Sequence, residues 1–322
     1  MKKVLVTVTN YSKFCKNSKN YLQSSGFEID ENTSGKRYSE EQLIQLVPNY
    51  DAAIVGMDPW TDRVLQKANK MKIIAKFGVG YDNIDISSAA KKGISVTYAR
   101  GENAQSVAEL ALTLILNVLK KVSVFNRHIR SGIWDRELQH ELHGKTVGLY
   151  GFGNIAQALA HMLKGFDVHI LAYDPYFNKS IADNLGVQFC QQEELLRHSD
   201  VLSLHLPGFE ENTHIIGEKE LNQMKAGSIL INTARGNLID LDALAIHLQN
   251  GHILGAGLDC FETEPISKTH PIFEFENVVA TPHCGGKTFE AYDRIGLSTA
   301  QNIIDMFNGI TPKNIINAKE DK

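Results

Sequence analysis

The chain has 322 residues, 43% of them hydrophobic and 22% charged, with a net charge of −4 and an isoelectric point near 6.3. That length is enough for two domains, the composition is that of a globular protein, and a weakly acidic balance with scattered basic residues gives no support to nucleic-acid or membrane-surface binding. Four cysteines, at 15, 190, 260 and 284, form no CxxC pair and suit reduced thiols in the cytoplasm; MKKVLVTVTN reads as a first strand rather than a signal peptide, and AELALTLILNVL (108–119) is too short to span a bilayer and carries Glu109.

VLVTV (4–8), DAAIVG (51–56), KIIAKFG (72–78) and ISVTYA (94–99) are short, β-branched and apolar on both faces. Strands buried on both sides of a parallel sheet have this character. Between them SEEQLIQLV (39–47) predicts a helix opened by a capping box from Ser39 to Gln42. Residues 1–100 therefore form one small α/β domain. Next, SVAELALTLILNVLKKV (106–122) predicts a helix with a second capping box, Ser106 to Glu109. Its apolar residues run all the way round, so it is enclosed, between domains or in a subunit interface, and it crosses into a second domain.

There the alternation restarts. KTVGLYG (145–151), DVHILAYD (167–174), VLSLHLP (201–207), GSILINT (227–233), ILGAGLD (253–259) and VVATP (278–282) are the strands, with helices filling the gaps. This βαβα order implies a doubly wound parallel sheet. A last helix near 288–308 ends at Asn308-Gly309 and returns to the first domain. The expected division is 1–100 with 288–322 around an inserted 101–287.

YGFGNIAQALA (150–160) contains G-x-G-x-x-A at Gly151, Gly153 and Ala156, after a strand and at the start of a helix. Asp174 closes the next strand. This is the dinucleotide-binding arrangement. Gly151 allows the tight turn, Gly153 lets the backbone approach a pyrophosphate, Ala156 permits close packing, and the helix N-terminus faces the phosphate charge. Asp174 would accept from ribose hydroxyls and repel a 2′-phosphate, which favours NAD over NADP, although Lys179 is near. The competing reading is a glycine turn that only packs helix on strand.

INTARG (231–236), LDCFETEP (258–265) and TPHCGG (281–286) each end a strand of the same sheet. Loops at carboxyl ends gather at the cofactor crevice of such folds, so Arg235, Asp259, Glu264 and His283 can converge. Hydride transfer to a 2-oxo acid needs a cation for the carboxylate, a proton donor for the carbonyl oxygen, and a group that holds the donor charged. Arg235 offers a bidentate fork, His283 a group that can donate or accept a proton near neutrality, and Glu264 an acceptor for its other ring nitrogen. A metal site at His283 and Cys284 would need further ligands, and only His270 is near in sequence, so no metal is expected. Cys284 and Cys260 read as small apolar fillers.

Together these stretches, with KFGVGYDNID (76–85), GENAQSVAEL (101–110) and NVVATPHCGG (277–286), resemble the D-isomer-specific 2-hydroxyacid dehydrogenase family along nearly the whole chain. The resemblance implies an NAD-dependent oxidoreductase, with a Rossmann NAD-binding domain inserted in a flavodoxin-like substrate-binding domain. It makes Arg235, Glu264 and His283 the catalytic set. It implies substrate contacts from Gly78, Val79, Gly80 and Arg235. Cofactor contacts would come from Gly151, Gly153, Asn154, Ile155, Asp174, His205, Pro207, Thr233, Ala234, Asp259 and Gly285. It also implies a homodimer formed through the NAD-binding domains. Some roles stay open. Asp259 lies beside the nicotinamide or only bonds a strand end; His205 and Pro207 wall the adenosine side or only shape the loop; Asn103 and Ser106 meet the cofactor or cap a helix.

Substrate choice divides the family. Formate dehydrogenases carry Gln where Glu264 stands. Phosphoglycerate dehydrogenases resemble GENAQSVAEL but usually place an Arg after the third strand, where Gly56 stands here, and often carry a C-terminal regulatory domain for which this chain ends too soon. Arg100 stands where the family commonly has Pro and either supplies a cation for a distal anion or is a solvated loop residue. The alternatives are a D-3-phosphoglycerate dehydrogenase proper and a corepressor-like NAD-sensing module.

Overall fold

The computed structural model describes residues 1–317; what is expected of 318–322 lies outside the described residues. The chain divides into two compact units, residues 1–103 with the stretch from 286 onward, and residues 104–285.

The first unit is built on an all-parallel sheet of β1 (Lys2–Val6), β2 (Phe27–Glu31), β3 (Ala52–Val55), β4 (Ile73–Lys76) and β5 (Ser95–Tyr98), in the order β2-β1-β3-β4-β5. That is the flavodoxin-like winding. Ala52 to Val55 and Ile73 to Lys76 are buried throughout, as their apolar runs require. The sequence patterns above pass over β2, whose FEIDE is mostly half-exposed at the sheet edge. Helix Glu40–Leu46 opens with both hydrogen bonds of the expected capping box between Ser39 and Gln42. Helix Phe289–Phe307 packs back on this unit, where the Ser18 hydroxyl donates to the Gly296 carbonyl at 2.8 Å.

Lys76, read from the sequence only as a strand residue, is 2% exposed. Its ammonium donates to the Gly56 carbonyl at 2.5 Å and to Asn83 Oδ1 at 2.7 Å, and Asn83 Nδ2 donates to the Asp58 carbonyl at 2.5 Å. A buried ammonium is stable only when its donors are matched. Here it ties the loop after β3 to the one after β4.

The second unit holds β6 (Thr146–Tyr150), β7 (His169–Tyr173), β8 (Val187–Phe189), β9 (Val201–Leu204), β10 (Ser228–Asn232), β11 (Ile253–Leu258) and β12 (Val278–Ala280). All pair in parallel, in the order β12-β11-β10-β9-β6-β7-β8. The winding reverses at β6, between β9 and β7. Register places Tyr173, Tyr150, Leu204, Asn232, Leu258 and Ala280 in one row across the sheet. Edge strand β8, only VQF, is too short to show a period.

The helix of 106–122 begins earlier than expected, at Ala104, and runs to Lys120. Ser106 therefore sits inside the first turn, 6% exposed, and the capping box proposed for it with Glu109 is corrected. The side chains are not covered all round either: Gln105, Glu109 and Thr113 form an exposed stripe at i, i+4 and i+8. Its apolar face meets β11, where a Cβ on Gly257 would stand 2.8 Å from Leu114 Cβ. Among the described residues no helix is long and apolar enough to cross a membrane.

Candidate active site

The register row sets the geometry of the second unit. The next residue after each strand end is Asp174, Gly151, His205, Thr233, Asp259 and Thr281, all on the carboxyl edge. Gly151 N–H donates to the Tyr173 carbonyl, His205 N–H to Tyr150, Asp259 N–H to Asn232 and Thr281 N–H to Leu258, each at 2.8–2.9 Å. The ladder thus continues one step past the strands and delivers these residues at one level.

At the reversal point Gly151 has φ +93°, and a Cβ there would stand 2.8 Å from the His205 carbonyl oxygen. Only glycine fits. Gly153 caps helix Asn154–Leu163 with no side-chain cap and no atom within 4 Å of its Cβ position. A helix start of this kind, with its first-turn N–H groups not capped by a side chain, favours an anion. Ala156 is fully buried. Asp174 stands beside this turn, with Oδ2 accepting from Phe152 N–H and Oδ1 from Tyr176 N–H, both at 2.7 Å. Thr233 is 7% exposed with a buried hydroxyl that has no hydrogen-bond partner. An open glycine cradle, an uncapped helix start and an orphaned hydroxyl fit a bound dinucleotide.

Beside the cradle, Ser203 Oγ and His205 Nε2 lie 3.0 Å apart. Burial pushes the His205 pKa down from 6.5 to about 4, so this ring is neutral near neutral pH. Pro207 is exposed and its carbonyl accepts from Asn212.

Arg235 owes its place to residues that the sequence patterns did not single out. Asn232, 1% exposed, accepts from Ala234 N–H at 3.0 Å and donates to the Arg235 carbonyl at 2.8 Å. Gly208 leaves room for the arginine stem, since a Cβ there would stand 2.7 Å from Arg235 Cγ. A Cβ on Gly236 would come within 1.9 Å of the Phe261 carbonyl carbon. The Arg235 loop therefore lies directly on the backbone that leads to Glu264. Arg235 Nη1 donates to the Ala234 carbonyl at 2.7 Å.

His283 and Glu264 are brought together, with Nδ1 2.9 Å from each carboxylate oxygen. Oε1 also accepts from Phe261 N–H at 3.2 Å. An ionised carboxylate only accepts, so Nδ1 carries hydrogen and Nε2 is the nitrogen left to exchange a proton. His283 has φ +51°, a left-handed backbone uncommon outside glycine. Asp259 holds it there. Its carbonyl accepts from His283 N–H at 2.8 Å, Oδ1 from Thr281 Oγ1 at 2.6 Å and Cys284 N–H at 2.9 Å, and Oδ2 from Gly285 N–H at 2.9 Å. With three donors on a carboxylate 1% exposed, Asp259 shapes the loop. The thiol nearest the pair is Cys260, not the adjacent Cys284; it is 3% exposed, and its Sγ donates to the Ala234 carbonyl at 3.4 Å.

The other expected substrate residues belong to the first unit. Gly78, Val79 and Gly80 follow β4, Gly78 with φ +139°, and its carbonyl accepts from Ala99 N–H at 2.9 Å. Arg100 is exposed just past β5.

Residues 112–285 match the family model described as D-isomer specific 2-hydroxyacid dehydrogenase, NAD binding domain. The chain is 37% identical over 300 residues to a D-3-phosphoglycerate dehydrogenase of Archaeoglobus fulgidus, covering 92% of this chain but only 56% of that protein. It is 40% identical over 285 residues to a glyoxylate reductase of Thermococcus litoralis, covering 85% of this chain and 86% of the relative. A solved D-2-hydroxyisocaproate dehydrogenase superposes with a TM-score of 0.86 at 28% identity, covering 99% of this chain and 100% of the other.

The depressed His205 pKa has a consequence for stability. An unfolded chain protonates this ring near 6.5 and the folded one only near 4. Its contribution is therefore fully present above 6.5 and lost as pH falls towards 4. The melting temperature of His205→Asn, measured at pH 7.5 and pH 5, should fall less between the two than that of the wild type. Equal falls would mean that the folded protein accepts the proton.

Proposed function

The chain belongs to the D-isomer specific 2-hydroxyacid dehydrogenase family, and from that premise we propose that it interconverts a small 2-oxo acid and its D-2-hydroxy acid with NAD(H), in a cytoplasmic setting. The observation that carries this reading is the imidazole of His283 held through Nδ1 by both oxygens of Glu264, at 2.9 Å each, on the sheet edge that also carries the glycine cradle.

When bound, the dinucleotide supplies or takes the hydride. Gly151, Gly153, Asn154 and Ile155 hold its phosphates, Asp174 its ribose hydroxyls, and Thr233, Ala234, His205, Pro207 and Gly285 line its path, with Asp259 keeping the last of these in place. Arg235 clamps the substrate carboxylate, and the turn of Gly78, Val79 and Gly80 has backbone N–H groups of the kind that bind such a group. In reduction, His283 passes the proton on Nε2 to the carbonyl oxygen as that oxygen gains charge; in oxidation it takes the hydroxyl proton back. Glu264 fixes the ring through Nδ1. The two named relatives act on glyoxylate and on a phosphorylated hydroxy acid. The exposed Arg100 past β5 supports a substrate with a distal anion as the second reading, a D-3-phosphoglycerate dehydrogenase proper.

NADH oxidation with glyoxylate, pyruvate, hydroxypyruvate and 3-phosphohydroxypyruvate tests the reaction and ranks the substrates. His283→Ala should lower kcat by about 10²–10⁴-fold and leave NADH affinity near wild type. Glu264→Gln replaces the carboxylate that holds Nδ1, so kcat should fall while NADH affinity stays near wild type. A His283→Ala enzyme with near-full turnover, or a Glu264→Gln enzyme with wild-type kcat, would sink the relay.

Cofactor choice rests on Asp174. NADH should be preferred strongly over NADPH, and Asp174→Ala should weaken NADH binding roughly 10–100-fold, as for lost hydrogen bonds to a charged group. Equal wild-type use of both cofactors contradicts this role.

A second copy of the chain is the proposed partner, through the NAD-binding unit. Val122, Ile129, Ile133, Trp134 and Leu138, on helix Val122–Arg130 and the segment after it, are 57%, 53%, 50%, 81% and 92% exposed. An apolar surface of this kind favours burial. Light scattering should give a dimer mass at micromolar concentration, and Trp134→Glu with Leu138→Glu should shift it to monomer. A monomeric wild type ends the proposal.

A further inference from the structure

The sulfur of Cys260, a carboxylate oxygen of Glu264 and a ring nitrogen of His283 all lie within 4.8 Å of one another. In the sequence His283 adjoins Cys284, with too few further ligands near them for a metal site. The fold instead presents Cys260, from the turn after β11, to the same side of the imidazole that Glu264 occupies. Thiolate, imidazole and carboxylate are three ligands that zinc takes together, at about 2.0–2.3 Å each in a tetrahedral site, with one position left for water, and the larger, softer cadmium ion takes the same set at somewhat longer bonds. We infer that Cys260, Glu264 and His283 form a binding site for a thiophilic divalent cation, and that its occupation switches the enzyme off.

Bonds of that length separate tetrahedral ligands by roughly 3.3–3.6 Å, so His283 Nδ1 and the Glu264 oxygen must part slightly from their 2.9 Å, and the sulfur, within 4.8 Å of both, must draw in by up to about an ångström. The sulfur's present partner is a single carbonyl at 3.4 Å, a weak bond to give up. On binding, the Cys260 thiol loses its proton to solvent, and the imidazole moves its Nδ1 hydrogen to Nε2, leaving Nδ1 to bind the cation. The ring, bound to the cation through Nδ1 and carrying its one hydrogen on Nε2, then has no further proton to exchange. Reduction and oxidation both stop. Binding does not depend on the proposed reaction; inhibition rests on His283 being its proton carrier.

Cadmium added to the metal-free protein reads the site without turnover, through the ultraviolet thiolate-to-cadmium charge-transfer band. One equivalent should bind. The band should vanish in Cys260→Ala and persist in Cys284→Ala, and Glu264→Gln or His283→Ala should weaken binding roughly tenfold or more. Melting temperatures confirm that each variant is folded, with Cys260→Ser as the second test should Cys260→Ala fail to fold. Zinc should inhibit NADH-linked reduction, reversibly with a chelator, and Cys260→Ala should resist it relative to its own metal-free rate. A charge-transfer band unchanged by either Cys260 variant, or none in the wild type, overturns the site. A Cys260-dependent band in a protein that reduces none of the 2-oxo acids leaves the site standing and overturns the proposed reaction instead. Cadmium bound at Cys260 with full turnover retained refutes the switch.

Discussion

A carboxylate buried at the end of β11 holds the rest of the site together. Asp259 lies 1% exposed and accepts three hydrogen bonds from Thr281, Cys284 and Gly285, while its carbonyl receives the His283 N–H. Taking a carboxylate out of water is costly unless its lone pairs are matched, and charge-assisted bonds of 2.6–2.9 Å are the strong kind. The match requires the loop after β12 to fold over the carboxylate, and that fold places His283 in a left-handed backbone. The histidine is aimed by a residue that needs no contact with substrate to do it.

Glycines and a buried amide do the same for the arginine. Gly236 allows the Arg235 loop to lie on the backbone of Phe261 and Glu262, and Gly208 clears space for the arginine stem. Asn232 closes the turn by bonding on both sides of it. Three strands thus contribute loops that touch one another, so their side chains are positioned by the fold.

Charge in this unit is sorted by environment. Burial keeps His205 neutral beside the cradle, whereas His283 is paired with the Glu264 carboxylate through Nδ1. The same pairing has a liability. A carboxylate beside an imidazole, with a thiol in reach, is also what a soft cation seeks.

Much of this was legible in the chain. Apolar β-branched runs located ten of the twelve strands, and their alternation with helices implied parallel sheets, because a strand buried on both faces has little room for polar residues. The glycine cradle and Asp174 were readable because close backbone approach and a strand-end acid leave fixed spacings. The pairing of Glu264 with His283 followed from chemistry placed at strand ends. Strands β2 and β8 were not legible, since FEIDE and VQF lie at sheet edges where one-sided exposure or brevity erases the pattern. Helix caps shift with neighbouring turns, which is why Ser106 is an inner residue and not a cap. The sequence could name Cys284 as the neighbour of His283, but a neighbour in sequence points along the loop. Parallel register brought the ends of β11 and β12 side by side, and the loop that Asp259 holds then placed His283 within 4.8 Å of Cys260.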